Sequence, residues 1–144
     1  MQRVTRARAT PGGAVGPGLC VLLGVAAGDG EAEAVRLAGK IARLRIFEND
    51  EGRFDRSLLE TGGAALVVSQ FTLVTDSRRQ QGTRPDFSRA APAEAAEPIY
   101  ERFCQALREL GVHVETGVFG ARMQVELVNH GPVTIVLEVE PRAR

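Results

Sequence analysis

Tryptophan is absent from this chain, and Tyr100, Lys40, Cys20, Cys104, His113 and His130 account for every tyrosine, lysine, cysteine and histidine. Each shortage closes a class of chemistry. The two cysteines sit in no C-x-x-C frame and beside no histidine cluster. That leaves no metal-ligand spacing and no disulfide framework, so the chain reads as reduced and cytosolic. Two lone histidines do not make a Ser-His-Asp arrangement, and no G-x-S-x-G elbow accompanies them. His113 falls among alternating strand residues and His130 in a turn before Gly131-Pro132; both read as exposed. No Walker lysine follows a G-x-x-x-x-G frame and there is no G-x-G-x-x-G, which argues against nucleotide hydrolysis and dinucleotide binding. No metal and no cofactor are expected. No apolar run approaches the ~20 residues that span a membrane, and the polar opening "MQRVTRARAT" is unlike a signal peptide. Excess charge is missing too: 18 basic residues balance 18 acidic ones. A nucleic-acid partner is therefore not signalled by bulk charge and would need a local patch.

What is present is ordinary globular material: 144 residues, 44% hydrophobic and 25% charged, enough for one domain with a real core. The apolar run "LCVLLGV" at 19–25 predicts a buried strand, and the turn signals "PGG" and "GPG" predict a hairpin between residues 2–9 and 19–25. Residues 31–45 predict a helix, with Ala34, Leu37, Ala38, Ile41 and Leu44 on one face and Glu31 and Glu33 in its first turn. Residues 48–63 read as an irregular connection and 64–70 as a strand. Residues 75–92 form a long polar loop carrying Arg78, Arg79, Arg84 and Arg89. A second helix covers about 94–110, its regular part starting at Pro98 and stopping at Gly111. "VHVET", "MQVELV" and "VTIVLEVE" then read as strands. Six or seven strands and two helices make a mixed α/β domain.

Two clusters stand out. "VVSQFTLVTD" ends an apolar strand in Ser69, Gln70, Phe71 and Thr72, a place where scaffolds present chemistry. "VNHGPVTIVLE" breaks two strand-like segments with Gly131-Pro132, and X-Pro is the one place where a cis bond is cheap. An ordinary turn accounts for either cluster taken alone.

Together they resemble the paired motifs of the D-aminoacyl-tRNA deacylases: "SQFTL" at 69–73 and "NHGPVT" at 129–134. "QRVTRA", "GPGLCVLLGV" and "KIARLRIFEND" are similar to that family's N-terminal half. "RPDFSRAAP", "PIYERF" and "VETGVFGARMQVELVN" are similar to its C-terminal half, so the likeness spans nearly the whole chain. The resemblance implies a single domain over 1–144, a layered α/β fold with a mostly antiparallel, barrel-like sheet and two main helices. It implies hydrolysis of the ester joining a D-amino acid, or mischarged glycine, to the 3′-terminal adenosine of tRNA. It implies a cytoplasmic homodimer that needs neither cofactor nor membrane. Carried over, Gly131 and Pro132 of one subunit would screen chirality in the other's pocket through a cis bond. Ser69, Gln70, Phe71 and Thr72 would line the adenosine and ester end, with backbone amides near Phe71 and Thr72 as oxyanion donors. The RNA's own terminal 2′-hydroxyl would assist, and Thr72 would position rather than attack. Arg3 would support the pocket, and Phe87, Phe119 and Met123 would wall it, although core packing explains the last three equally well. Two other readings compete. One is a non-catalytic RNA-binding module using Arg78, Arg79 and Arg84; the other is a relaxed-chirality relative that clears L-alanine from tRNA.

Overall fold

The computed structural model describes residues 1–142. Its first strand, β1 (Gln2–Thr10), is followed by β2 (Ala14–Val15) and β3 (Gly18–Leu23). Then come α1 (Glu31–Arg43), the short pair β4 (Phe47–Glu48) and β5 (Phe54–Arg56), and α2 (Leu58–Thr61). β6 (Ala64–Ser69) runs into a 3-10 turn (Phe71–Leu73), and α3 (Ala93–Glu109), β7 (Val114–Thr116) and β8 (Gln124–Thr134) complete the order.

β1 pairs antiparallel with β2, β3 and β8, while β3–β6 and β6–β7 are parallel. The sheet is therefore mixed. It curls until the β1–β2 turn meets the end of β7: Gly12 bridges Gly117, and the Gly13 N–H donates to Thr116 O at 2.8 Å. The result is a nearly closed barrel with few helices, as the resemblance implied. β3 and β6 are continuous apolar runs because both their faces are covered. Leu19, Val21, Leu23, Ala65 and Val67 face α1 and α3. Cys20, Leu66 and Val68 face the barrel interior with Val4, Ala7, Ala9 and Val15. Gly18 is required where β3 meets β6: its φ is +151° and a Cβ would stand 1.8 Å from Ala64 O.

Several expectations need correction. Residues 48–63 are not irregular, since β5 and α2 lie within them. α2 is set by a capping box: the Glu60 N–H donates to Ser57 Oγ and the Ser57 N–H to Glu60 Oε1, both at 3.2 Å. α3 begins at Ala93, with Pro98 inside it. The amide hydrogen that Pro98 lacks would have served the carbonyl of exposed Glu94, which water can satisfy. β8 is one strand through His130, Gly131 and Pro132, so His130 is an exposed strand residue rather than a turn residue. "VTIVLEVE" is not a strand beyond Thr134. Ile135 still exchanges backbone bonds with Met1, at 2.8 and 2.9 Å, and among the described residues no ladder bond follows that pair. Beyond it, alternate residues still turn inward, and Arg36 holds the Glu140 carbonyl at 2.6 Å. Among the described residues no helix is long and apolar enough to cross a membrane.

Phe103 of α3 is fully buried against the sheet, and beside it the Tyr100 hydroxyl donates to Val67 O at 2.7 Å. Burial pushes the Tyr100 phenol well above its ordinary range, so it stays a donor. Replacing Phe103→Ala is expected to cost about 3–5 kcal/mol, read as a lower urea midpoint at unchanged slope.

Candidate active site

The first cluster is built where β6 stops. Ser69 sits opposite Leu23 in the parallel ladder, and the Gln70 N–H donates to Leu23 O at 2.8 Å. The chain then tightens: the Leu73 N–H reaches Gln70 O at 3.2 Å and the Val74 N–H reaches Phe71 O at 3.0 Å. The N–H groups of Phe71 and Thr72, at the start of this turn, donate to no acceptor among the described residues. Starts of helical turns leave such donors free for water or a ligand. The Thr72 hydroxyl is bonded to the side-chain amide of Gln70, which cannot take a proton from it. His113, for its part, is engaged with Glu115 at 3.2 Å. Phe71 is 57% exposed, and the Phe87 ring meets it edge-on with centroids 5.3 Å apart. Ser69, Gln70, Phe71, Thr72 and Phe87 are thus brought together.

The second cluster is a bulge. β8 pairs Asn129 with Val4 and Thr134 with Gln2, so two steps along β1 face five along β8, and residues 130–133 arch out. Gly131-Pro132 lies at the crest, exposed, with its peptide bond cis. Arg3 stands behind it, only 4% exposed. Its guanidinium donates to His130 O at 3.0 Å and Ile46 O at 3.2 Å, and lies 3.3 Å from Glu48 Oε1. It also rests over the Phe54 ring, 5.7 Å from the centroid. The Glu48 side chain is half exposed, so water screens that ion pair and the carbonyl bonds carry the clamp. Asn129 braces the far side: its Oδ1 accepts the Val133 N–H and its Nδ2 donates to Thr134 Oγ1, both at 2.9 Å. Gly131 has φ +126°, and a Cβ there would lie 2.9 Å from Arg3 Nη2 and 2.8 Å from Val133 Cγ2. No other residue fits without moving the arch.

Phe119 and Met123 take different places. Phe119 tilts against Tyr100 with centroids 5.7 Å apart and packs on the helix-side core. Met123 packs on the barrel-interior core, its sulfur 3.4 Å from the Val118 amide.

The two clusters do not meet within one chain. Arg3 is level with Leu19 of β3 and Ser69 is level with Leu23. Four residues of strand separate those levels by about 13 Å along the strand direction. Sequence reasoning missed Ile46, Glu48, Phe54 and Asn129. Asn129 carried a signal, an Asx side chain just before a Gly-Pro pair; the other three act from more than forty residues away from Arg3 and gave none. Arg3→Met keeps much of the side chain's bulk and loses two charge-assisted bonds worth about 1.5–3 kcal/mol each. It is expected to lower stability by about 3 kcal/mol and to speed hydrogen exchange at Val133 before the core strands respond.

The family model described as D-Tyr-tRNA(Tyr) deacylase matches residues 1–138. The D-aminoacyl-tRNA deacylase of Symbiobacterium thermophilum is 58% identical over 144 residues, covering 97% of this chain and 94% of that protein. The enzyme of that name from Roseiflexus sp. is 59% identical over 142 residues, covering 96% and 90%. Among solved structures, one titled c-Myc DNA Unwinding Element Binding Protein superposes with TM-score 0.85 at 41% identity, covering 97% of each chain. A probable eukaryotic D-amino acid tRNA deacylase shares the fold, with TM-score 0.71 at 16% identity over 90% of this chain and 91% of its own. This chain belongs to the D-Tyr-tRNA(Tyr) deacylase family.

Proposed function

We propose that this protein hydrolyses the ester between a D-amino acid, or glycine, and the 3′-terminal adenosine of tRNA, and that it does so as a homodimer. The observation that carries this reading is the pair of half-sites about 13 Å apart along β3. One is a rigid, exposed arch with no side chain at its glycine; the other is a strand end with two free amide hydrogens. An arch from one subunit set over the strand end of another makes one pocket. In that pocket, fixed backbone at Gly131-Pro132 holds the α-amino group and leaves no space for an L side chain. Such a screen touches only what all D-aminoacyl groups share, so many D side chains pass.

Hydrolysis then needs water to add to the ester carbonyl, an oxyanion to be held, and the ribose oxygen to leave with a proton. The free N–H groups of Phe71 and Thr72 are the donors for the oxyanion. Gln70, tethered to Thr72, orients the terminal ribose. Among the described residues the hydrogen-bond partner of the Thr72 hydroxyl is the Gln70 amide, not a base, so the proton traffic falls to water and the RNA's own 2′-hydroxyl. Phe87 backs Phe71, while Phe119 and Met123 serve the two cores rather than this pocket. The cytoplasm, where charged tRNA is used, is the working compartment, and the activity is proofreading in translation.

The purified protein is expected to release D-tyrosine from D-Tyr-tRNA and spare L-Tyr-tRNA; equal hydrolysis of both, or of neither, sinks the reading. Comparable release of L-alanine from tRNA would favour the relaxed-chirality relative instead. Thr72→Ala should retain near-normal rates, whereas Thr72→Pro, which removes the amide hydrogen, should lose about 10²–10³ in kcat. Similar losses in both would return the role to the hydroxyl. Gly131→Ala should abolish hydrolysis, because its Cβ pushes on Arg3 and shifts the screen.

A further inference from the structure

The loop between the 3-10 turn and α3 carries a concentration of positive charge in a chain whose net charge is zero. Residues 77–84, "SRRQQGTR", hold Arg78, Arg79 and Arg84 and no acid, and all three arginines are exposed. The two flanking acids are occupied in shaping the loop. Asp76 accepts the Arg78 N–H at 3.0 Å and lies 3.6 Å from Arg79 Nε. Asp86 accepts the Ser88 N–H at 2.8 Å and the Ser88 hydroxyl, bonds that hold its carboxyl below the ordinary range. Arg78 and Arg84 have no carboxylate within ion-pair distance among the described residues. Arg89 is different: it lines a separate cavity of about 610 Å³ together with Asp29 and Glu33.

The loop is not a free tether. Its neck is closed by the Asp76 N–H on Asp86 O at 2.9 Å. Its far end is anchored where Ala27 donates to Arg89 O at 2.8 Å and Ala91 donates to Val25 O at 2.9 Å. Phe87, just past the neck, meets Phe71 of the proposed ester site edge-on. Arg84 precedes Phe87 by three residues, so their Cα atoms are at most about 11 Å apart. A solvated loop explains exposure, but not why a loop carrying Arg78 and Arg84, unpaired among the described residues, has its backbone anchored next to Phe87, which contacts Phe71 of the strand end.

We infer that Arg78, Arg79 and Arg84 form a phosphate-binding rim that grips the single-stranded 3′ end of the RNA, upstream of the nucleotide whose ester is cut. Arginine suits this, since its planar fork meets phosphate oxygens in pairs, and Gln80, Gln81 and Thr83 add neutral donors. Backbone contacts of this kind position the RNA without reading its sequence. The inference rests on the deacylase reading for what enters the site, but its own content is the surface.

The test uses the full-length protein and uncharged tRNA, with binding measured across a salt series, so that it does not depend on catalysis. The triple variant Arg78→Ala, Arg79→Ala, Arg84→Ala is expected to bind at least about tenfold more weakly at low salt, with its log–log salt slope shallower by about 2, since each single-strand phosphate contact contributes about 0.7. The matching triple lysine variant should keep most of the affinity and the slope, which separates charge from folding. Unchanged affinity and slope in the alanine variant overturn the rim. Hydrolysis of a D-aminoacyl adenosine ester, which carries no phosphate, then separates the two ideas. Loss of binding in the variant, with no cleavage of that ester by the wild type, keeps the rim and removes the deacylase. Cleavage by the wild type with tRNA binding indifferent to the arginines does the reverse.

Discussion

Everything distinctive in this molecule follows from the register of β3. On one side it pairs antiparallel with β1, which sets Arg3 opposite Leu19. On the other it pairs parallel with β6, which sets Ser69 opposite Leu23. The strand is buried on both faces, by helices outside and by the barrel core within. A one-residue slip would exchange those faces, so the register is firmly held. The two polar clusters are fixed to it at opposite levels. Gly131-Pro132 and the Phe71–Thr72 turn are both exposed.

Each cluster also explains its own rigidity. At the arch, Arg3 spends its donors on the carbonyls of His130 and Ile46, and Asn129 closes the other side. The arch is thus tied on both flanks, which the proposed backbone screen requires. At the strand end the turn after Gln70 uses the amides of Leu73 and Val74 and leaves those of Phe71 and Thr72 open. Among the described residues the Thr72 hydroxyl is bonded to the Gln70 side-chain amide, and in the proposed reaction the protein supplies placement and charge stabilisation while the RNA supplies the hydroxyl.

The sequence made the β3 and β6 runs, both long helices and both polar clusters readable, because each depends on local pattern. The box Ser57-x-x-Glu60 was equally readable as a helix start, yet the surrounding Gly, Asp and Asn hid α2 and β5. The strand read over "VTIVLEVE" failed for a different reason. Alternation reports which side chains turn inward, and they do turn inward, but a strand also needs a backbone ladder, and β8 has none past the Met1–Ile135 pair among the described residues. Pro98 misled in the same way, since an exposed turn tolerates the missing donor. The Arg3 clamp was out of reach, because its partners come from Ile46, Glu48 and Phe54 and only the fold assembles them. What joined the clusters into one reaction was family resemblance; spacing alone left two turns.

The central claim is that each working pocket draws its arch and its strand end from different subunits. Mixed dimers carrying one Gly131→Ala subunit and one Thr72→Pro subunit test it most directly, isolated through two different affinity tags and assayed on D-Tyr-tRNA. In a two-fold dimer with shared sites, one pocket of the mixed pair receives both intact halves, so about half of wild-type activity should return although each parent is inactive. Mixed dimers no more active than their parents would show that each subunit works with its own arch, and would contradict the account.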